Sequence, residues 1–233
     1  MSEQTDVFRA LLRFRDVPVL VRAFVLGTIF VASLALLGFL LGVEWDLVDL
    51  GRENNIPTWF SSVQLFTIAA ILSVIVIRDM DLRKLSTWTL AVVPGMFALL
   101  SLDEVAMFHE RLGRWLKISG EVGTGLRTGP WVLIFVPLVG LLTVASAIVF
   151  WPYLKGRRDV LALVVLGFAA FGLSAVGLEL LANLWVDQAK VPRVLGYAEE
   201  VGEMLAANII LWSAVLVVQH EGIHIEFGTR HSR

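Results

Sequence analysis

Two acids, a histidine and a third acid lie within one stretch, Ser101–Glu110, at the end of a long apolar run. Asp103, Glu104, His109 and Glu110 have side chains that can bind a metal ion or move a proton. Carboxylates together with one imidazole suit Zn, Mn or Fe, and a metal-bound water beside a carboxylate base supports hydrolysis. On an uninterrupted helix Asp103 and His109 point in different directions, so a break between them is needed to turn His109 inward.

Further acids lie at the ends of two later apolar runs. Glu179 is near the end of one run, and Glu199, Glu200 and Glu203 are near the start of the next. Like charges on one helical turn repel each other, so the last three need a cation, protons or basic partners. The predicted metal ligands are Asp103, His109, Glu179 and Glu203, and the predicted catalytic bases are Glu104 and Glu200.

Composition indicates a membrane protein. The 233 residues are 57% apolar and 17% charged, whereas soluble domains are about 45–50% apolar and about 25% charged. The mean hydropathy of +0.78 is consistent with lipid as the solvent. A net charge of −2 and the lack of a basic, aromatic groove argue against nucleic acid as a partner. The absence of cysteine excludes disulfides, thiolate ligands and a cysteine nucleophile.

A helix crosses a bilayer with about 20 mostly apolar residues, and six segments of the chain qualify. The predicted spans are about 18–43, 58–77, 86–108, 130–153, 159–185 and 194–219. The sequence therefore predicts an all-α fold, an integral membrane bundle of six transmembrane helices in a single domain, 1–233. Lysine and arginine in the short loops place both termini of this predicted plasma-membrane (inner-membrane) protein in the cytoplasm.

This topology brings the acids to one level, because the third, fifth and sixth spans carry them at the same side of the membrane. Asp103 is roughly 22 Å along its span, at a rise of about 1.5 Å per residue through a core of about 30 Å. Ionisable residues at such depth usually face a bundle interior or a wet cavity. Residues 109–117 alternate apolar with basic residues and are typical of an interfacial helix. The sequence thus predicts an outward-facing acidic cavity made by the second, third, fifth and sixth spans.

The acids also belong to a wider pattern. Ser101-Leu102-Asp103-Glu104 followed by His109-Glu110, together with the acidic helix start Glu199-Glu200-Val201-Gly202-Glu203, resembles a family of uncharacterised bacterial multi-pass membrane proteins with the motif SLDExxxxHE. The resemblance covers most of the chain. It implies a bacterial inner membrane and a set of acids that act together, and it implies no activity.

Three functions remain open from the sequence. The first is a metal-dependent hydrolase that acts on a lipid or amphiphile, for which a divalent metal (Zn, Mn or Fe) is the expected cofactor. A proton- or cation-coupled transporter would use the same acids as relays. A non-catalytic subunit of a membrane complex would hold no stoichiometric metal. Membrane lipid is the expected partner in each case, and either a homo-oligomer or a membrane-complex partner is expected besides.

Overall fold

The computed structural model of the protein describes residues 17–43, 45–52, 54–80, 85–118, 132–182, 184 and 190–223. Within these ranges the regular structure is helical, and the helices pack side by side as a bundle. This architecture confirms the predicted all-α class.

The helices follow one another with short connections where the chain is described. They are α1 (Val19–Leu41), α2 (Ile56–Arg78), α3 (Leu85–Ala106), α4 (Phe108–Ile118), α5 (Val132–Leu154), α6 (Arg158–Gly172), a π-helix (Leu173–Leu178), α7 (Glu179–Ala182) and α8 (Lys190–His220).

Among the described residues, five helical segments are long and apolar enough to cross a membrane, so the chain is a multi-pass membrane protein. They are Val19–Leu41, Ile56–Arg78, Trp88–Ala106, Arg158–Ala182 and Arg193–His220. The predicted fourth span corresponds to α5, which contributes a shorter apolar segment, Thr143–Leu154, within the residues searched. A sixth crossing at α5 stays a prediction.

Local signals fix the connection between α1 and α2. The side-chain oxygen of Asn55 accepts a hydrogen bond from the main-chain N–H of Thr58 at 3.1 Å, which caps the start of α2. Pro57 occupies the first turn, where a missing N–H loses no helical hydrogen bond. At the other side, α1 ends at Gly42 with φ +64°, a conformation that glycine adopts without strain. Asp49 lies in the connection between the end of α1 and the start of α2.

Helix α8 lies at the centre of the bundle and packs against α1, α2, α6 and the π-helix. Met204, Leu211 and Val218 are almost completely buried along its length. Gly167 of α6 lets the two helices approach closely, because a Cβ there would lie 2.6 Å from the side chain of Ile210. The central position of α8 means that acids near its start are carried into the bundle.

Helices α2 and α8 run in the same direction, as contacts at both of their ends demonstrate. At one end, Glu221 accepts hydrogen bonds from Arg78 at 2.9 Å and from Arg157 at 2.8 Å. We call this the clasp end, defined by Arg78, Arg157 and Glu221. At the opposite end, Tyr197 of α8 donates a hydrogen bond to Asp49, which precedes α2. We call this the site end, and it contains the starts of α2 and α8 and the end of α3.

Candidate functional site

The chain breaks between α3 and α4 within the stretch that the sequence singled out. Helix α3 ends at Ala106, α4 begins at Phe108, and Met107 between them has φ +53°. Positive φ is uncommon for a residue with a side chain, and here it turns the chain so that His109 faces back to Asp103. The break that an inward-facing His109 requires is therefore present.

The carboxylate of Asp103 holds both the first turn of α4 and the His109 ring. Its Oδ2 lies 2.7 Å from Nδ1 of His109, and its Oδ1 accepts the main-chain N–H of His109 at 3.0 Å. The main-chain N–H of Phe108 also donates to this carboxylate. An ionised carboxylate can only accept hydrogen bonds, so a neutral His109 carries its proton on Nδ1. The second ring nitrogen, Nε2, then has a lone pair suited to a proton or a metal ion.

Two serines join α2 to α3 at the same end of the bundle. Ser62 Oγ donates to the main-chain carbonyl of Ser101 at 2.8 Å, and Ser101 Oγ donates to the carbonyl of Ser62 at 2.8 Å. This reciprocal pair sets the register of the two antiparallel helices. Asp103 therefore lies level with the first turns of α2, beyond the serines towards the site end.

A hydrogen bond between α2 and α8 sets the register of these two helices and so the height of the α8 acids in the bundle. Gln64 of α2 donates to the main-chain carbonyl of Met204 at 3.2 Å. Because α2 and α8 run in the same direction, Glu200 and Glu203 lie at the same height along the bundle as the residues just before Gln64, which include Ser62. Both acids are half-buried, and on a regular helix Glu200 shares the buried face of Met204. The acids of α8 thus occupy the same layer of the bundle as the end of α3.

Glu104 also faces the bundle. It follows Ser101 by one helical turn and Phe97 by two, so these residues share a face of α3. Phe97 packs against Phe168 of α6, with the ring centroids 6.1 Å apart. That contact directs the shared face inward, and Glu104 is half-buried there.

An uncharged polar cluster lies deeper in the bundle. Gln64 donates to Asn208 at 2.8 Å, and Asn208 donates to the Thr28 hydroxyl at 2.9 Å, so the cluster connects α1, α2 and α8. Gln64 is completely buried. Within the described part of the chain, its Oε1 is a buried acceptor that has no hydrogen-bond partner. A water molecule or a small cation would satisfy this oxygen.

The helix facing the α8 acids is irregular. The π-helix Leu173–Leu178 follows α6 directly, and single π-turns inside helices frequently occur at functional sites. Gly202 of α8 lies against it so closely that a Cβ at this position would overlap the Ser174 hydroxyl oxygen. The turn that bears Glu200 and Glu203 is therefore in direct contact with the distorted helix.

A different acid fastens the connection between α1 and α2 to α8. Asp49 has only 9% of its surface exposed. It accepts hydrogen bonds from Tyr197 and from the main-chain N–H of Gly51, and it lies 3.5 Å from Arg193 and 3.6 Å from Arg52. Burial raises the pKa of Asp49, but these hydrogen bonds and positive charges together hold it below its ordinary value. The carboxylate is therefore ionised and satisfied within the protein.

The small cleft beside Asp49 has an aromatic wall that is already occupied. Phe39 and Tyr197 line it with Arg193, whose guanidinium lies 5.8 Å and 5.9 Å from the two ring centroids. Aromatic faces attract cations, and here the cation comes from the chain itself. We therefore assign this cleft a structural role.

The structure brings Asp103 and His109, two of the predicted site residues, into contact. Glu203, Glu200 and Glu104 share their layer of the bundle. Among the side chains that the structure describes, no three of His, Asp and Glu lie close enough to hold a metal ion together. Glu179 begins α7, and its side chain lies outside the described set. The metal-ligand set therefore stays a prediction.

Asp49 and Asn208 had no role in the prediction from sequence, and Gln64 was expected only as one of the polar residues at the start of the second span that could line the acidic cavity. Asn208 and Gln64 are amides inside long apolar runs, and that signal alone marks them as buried and partnered. No sequence signal pairs Asp49 with Tyr197, because the two lie in different helices and connections far apart in the chain.

Comparison of the chain with curated proteins and with solved structures finds no match. A family model described as a domain of unknown function (DUF8692) matches residues 19–219, which include the Asp103–His109 pair, and the chain belongs to that family.

Proposed function

We propose that the protein is a metal-dependent hydrolase that acts on a lipid or amphiphile at the site end. The observation that supports this function is the hydrogen bond between Asp103 and His109 Nδ1 at 2.7 Å. A metal-binding histidine commonly donates its second ring N–H to a carboxylate, which fixes the tautomer and the direction of the ring. His109 has this partner, so its Nε2 is the proposed metal-binding atom.

Asp103 has an orienting role in this proposal, although the sequence suggested it as a ligand. Its two oxygens already accept hydrogen bonds from His109 and from the main chain of α4. The metal ligands are then His109, Glu179 and Glu203. Glu104 and Glu200 are the candidate bases that would take a proton from a metal-bound water.

Lipid is the proposed substrate class because of the depth of the site. Asp103 belongs to a helix that is apolar enough to cross a membrane, and it lies close to the end of that helix. A molecule with acyl chains reaches such a position from within the bilayer, while water reaches it from the surface. In the proposed orientation the site end faces outward from a bacterial inner membrane, and both termini are cytoplasmic.

Elemental analysis tests the metal directly. The protein is purified in mild detergent without a histidine tag or chelator, and Zn, Mn and Fe are counted per chain. We expect about one equivalent of metal, lost in His109→Ala and in Glu203→Gln. Asp103→Asn is expected to keep the metal with about 10–100-fold weaker affinity, the usual cost of removing such a partner.

His220→Ala is the matched control, because it removes a histidine near the clasp end, where the ring lies 3.5 Å from Asp159. It is expected to retain the metal in full. A metal-free parent protein would refute the proposal, and so would equal metal content in the His109 and His220 variants. Hydrolysis is then followed by mass spectrometry of lipid extracts, where Glu104→Gln or Glu200→Gln should lose turnover and keep the metal.

A second candidate, proton or cation transport, is supported by the buried cluster around Gln64. Polar groups deep in a membrane bundle commonly mark an ion pathway. The unpaired Oε1 of Gln64 can accept a hydrogen bond from a hydronium ion or bind a small cation. Ion flux into liposomes that depends on Gln64 and Asn208, in protein free of metal, would favour this function over hydrolysis.

A further inference from the structure

Helix α4 has three distinct sides. Phe108, Leu112 and Trp115 follow one another at intervals of four and three residues and form an apolar side. Arg111 and Arg114 form a basic side next to it, and both are exposed. Phe108 is 48% exposed and Trp115 is 62% exposed, so the apolar side is turned away from the bundle.

The third side of α4 is bound to the end of α3. His109 is bound to Asp103, and Gly113, one turn further along the same side, is buried. The direction of the apolar and basic sides is therefore set by contacts on the opposite side of the same helix.

The position of α4 follows from its connection to α3. The span Trp88–Ala106 is apolar enough to cross a membrane, and α4 begins two residues after it, beyond the turn at Met107. A helix joined so closely to the end of a span must lie at the boundary between hydrocarbon and water. Amphipathic helices at this boundary bury their apolar side in the acyl region and keep basic residues at the headgroups.

We propose that α4 is a lipid-binding surface that lies in the membrane interface and binds anionic phospholipid headgroups through Arg111 and Arg114. The guanidinium group matches the geometry of a phosphate, to which it can donate two parallel hydrogen bonds. Phe108 and Trp115 anchor the helix at the depth where aromatic rings are enriched in membrane proteins. This surface is independent of the proposed hydrolase, because neither arginine belongs to the metal site.

The natural chain has no cysteine, so single cysteines can carry a spin label at defined positions of α4. In vesicles, collision with oxygen reports exposure to acyl chains, and collision with a water-soluble nickel chelate reports exposure to water. We expect high oxygen accessibility at positions 108, 112 and 115 and high chelate accessibility at 111 and 114. Chelate accessibility at all five positions would overturn the proposal, and so would protection from both reagents at 108, 112 and 115.

The lipid preference is tested with the label at position 112, which leaves both aromatic anchors and both arginines in place. Vesicles of phosphatidylcholine are compared with vesicles that also contain phosphatidylglycerol. We expect the anionic lipid to raise the ratio of oxygen to chelate accessibility at position 112. We expect 1 M salt to reverse this rise, because it shortens the screening length to about 3 Å.

The double variant Arg111→Gln/Arg114→Gln should lose at least half of this response to phosphatidylglycerol. The matched control is Lys155→Gln/Arg158→Gln, which removes two exposed positive charges near the clasp end and should leave the response at position 112 unchanged. An equal response in the two double variants would overturn the assignment of the headgroup to Arg111 and Arg114.

Discussion

Acidic side chains lie at both ends of the bundle, but their partners differ. At the clasp end, Glu221 is bound by Arg157 and Arg78, which lie 64 and 143 residues away along the chain. At the site end, Asp103 is bound by the ring of His109, six residues away, and by the main chain of the same corner. One acid therefore joins separate helices, and the other organises a single turn.

The two carboxylates differ in the chemistry of their partners. A carboxylate between two guanidinium groups is held ionised, because arginine does not lose its proton in proteins. Burial raises the pKa of Glu221, but Arg157 and Arg78 more than offset this and hold it below the ordinary value. A carboxylate paired with histidine belongs to a group that can gain or lose a proton near neutral pH. The proposed metal chemistry is assigned to the site end for this reason.

The largest expected effect comes from removing the acid at the clasp end. Glu221→Ala should lower the free energy of unfolding by about 1–2 kcal/mol, because two charge-assisted hydrogen bonds between helices are lost and two arginines lose a partner. Chemical or thermal unfolding in detergent, followed by tryptophan fluorescence, measures the change.

Asp46→Ala is the control for this variant. Asp46 forms one ion pair with Arg52 at 2.7 Å, but its side chain is 70% exposed, and pairs of that kind contribute about 0.2–1 kcal/mol. A loss of stability in Glu221→Ala no larger than that in Asp46→Ala would contradict the structural role of the clasp end.

The contribution of Glu221 should also depend on pH. Because its pKa is lower in the folded protein than the ordinary value of 4.5, the unfolded chain takes up the proton first as the pH falls. The stabilisation is therefore complete above about pH 4.5–5 and is lost as the pH falls through the lowered, folded pKa.

Measured as the difference in unfolding free energy between the natural chain and Glu221→Gln, this contribution should be constant from pH 6 to 7 and should shrink below pH 4.5. Asp79 remains in both proteins and cancels in the comparison, although its own pKa is lowered by Arg78. A difference that grows on acidification would show that Glu221 is bound as a neutral acid.

Much of the site end could be predicted from the sequence, because hydropathy fixes the spans and the spans fix which residues share a level. The shared layer of Asp103, Glu104 and Glu200 follows from this argument, and the registers at Ser62 and Gln64 agree with it. The break at Met107 could only be stated as a condition, since no glycine or proline marks it. Positive φ at a methionine is set by its surroundings, here by the Asp103 carboxylate that binds the next turn.

The clasp end could not be predicted, for a different reason. Charges near Arg78, Arg157 and Glu221 indicate a loop side of the membrane, but which charges pair depends on the packing of α2, α6 and α8. The same holds for Asp49 and Tyr197. Sequence periodicity describes one helix at a time, so contacts between distant helices become visible only in the folded bundle.

The smallest expected effect on global stability comes from Asp103→Ala, and it separates a local contact from a contact between helices. The variant removes a helix cap worth about 1 kcal/mol. The loss falls on the first turn of α4, because the Asp103 carboxylate is bound there by the His109 ring and by the main-chain N–H groups of Phe108 and His109. A spin label at position 112 should become more mobile, while the global unfolding midpoint changes little. Asp103→Asn should keep the label immobile, because an amide oxygen still accepts the main-chain N–H groups. A large fall in global stability with unchanged mobility at position 112 would mean that Asp103, like Glu221, holds separate helices together.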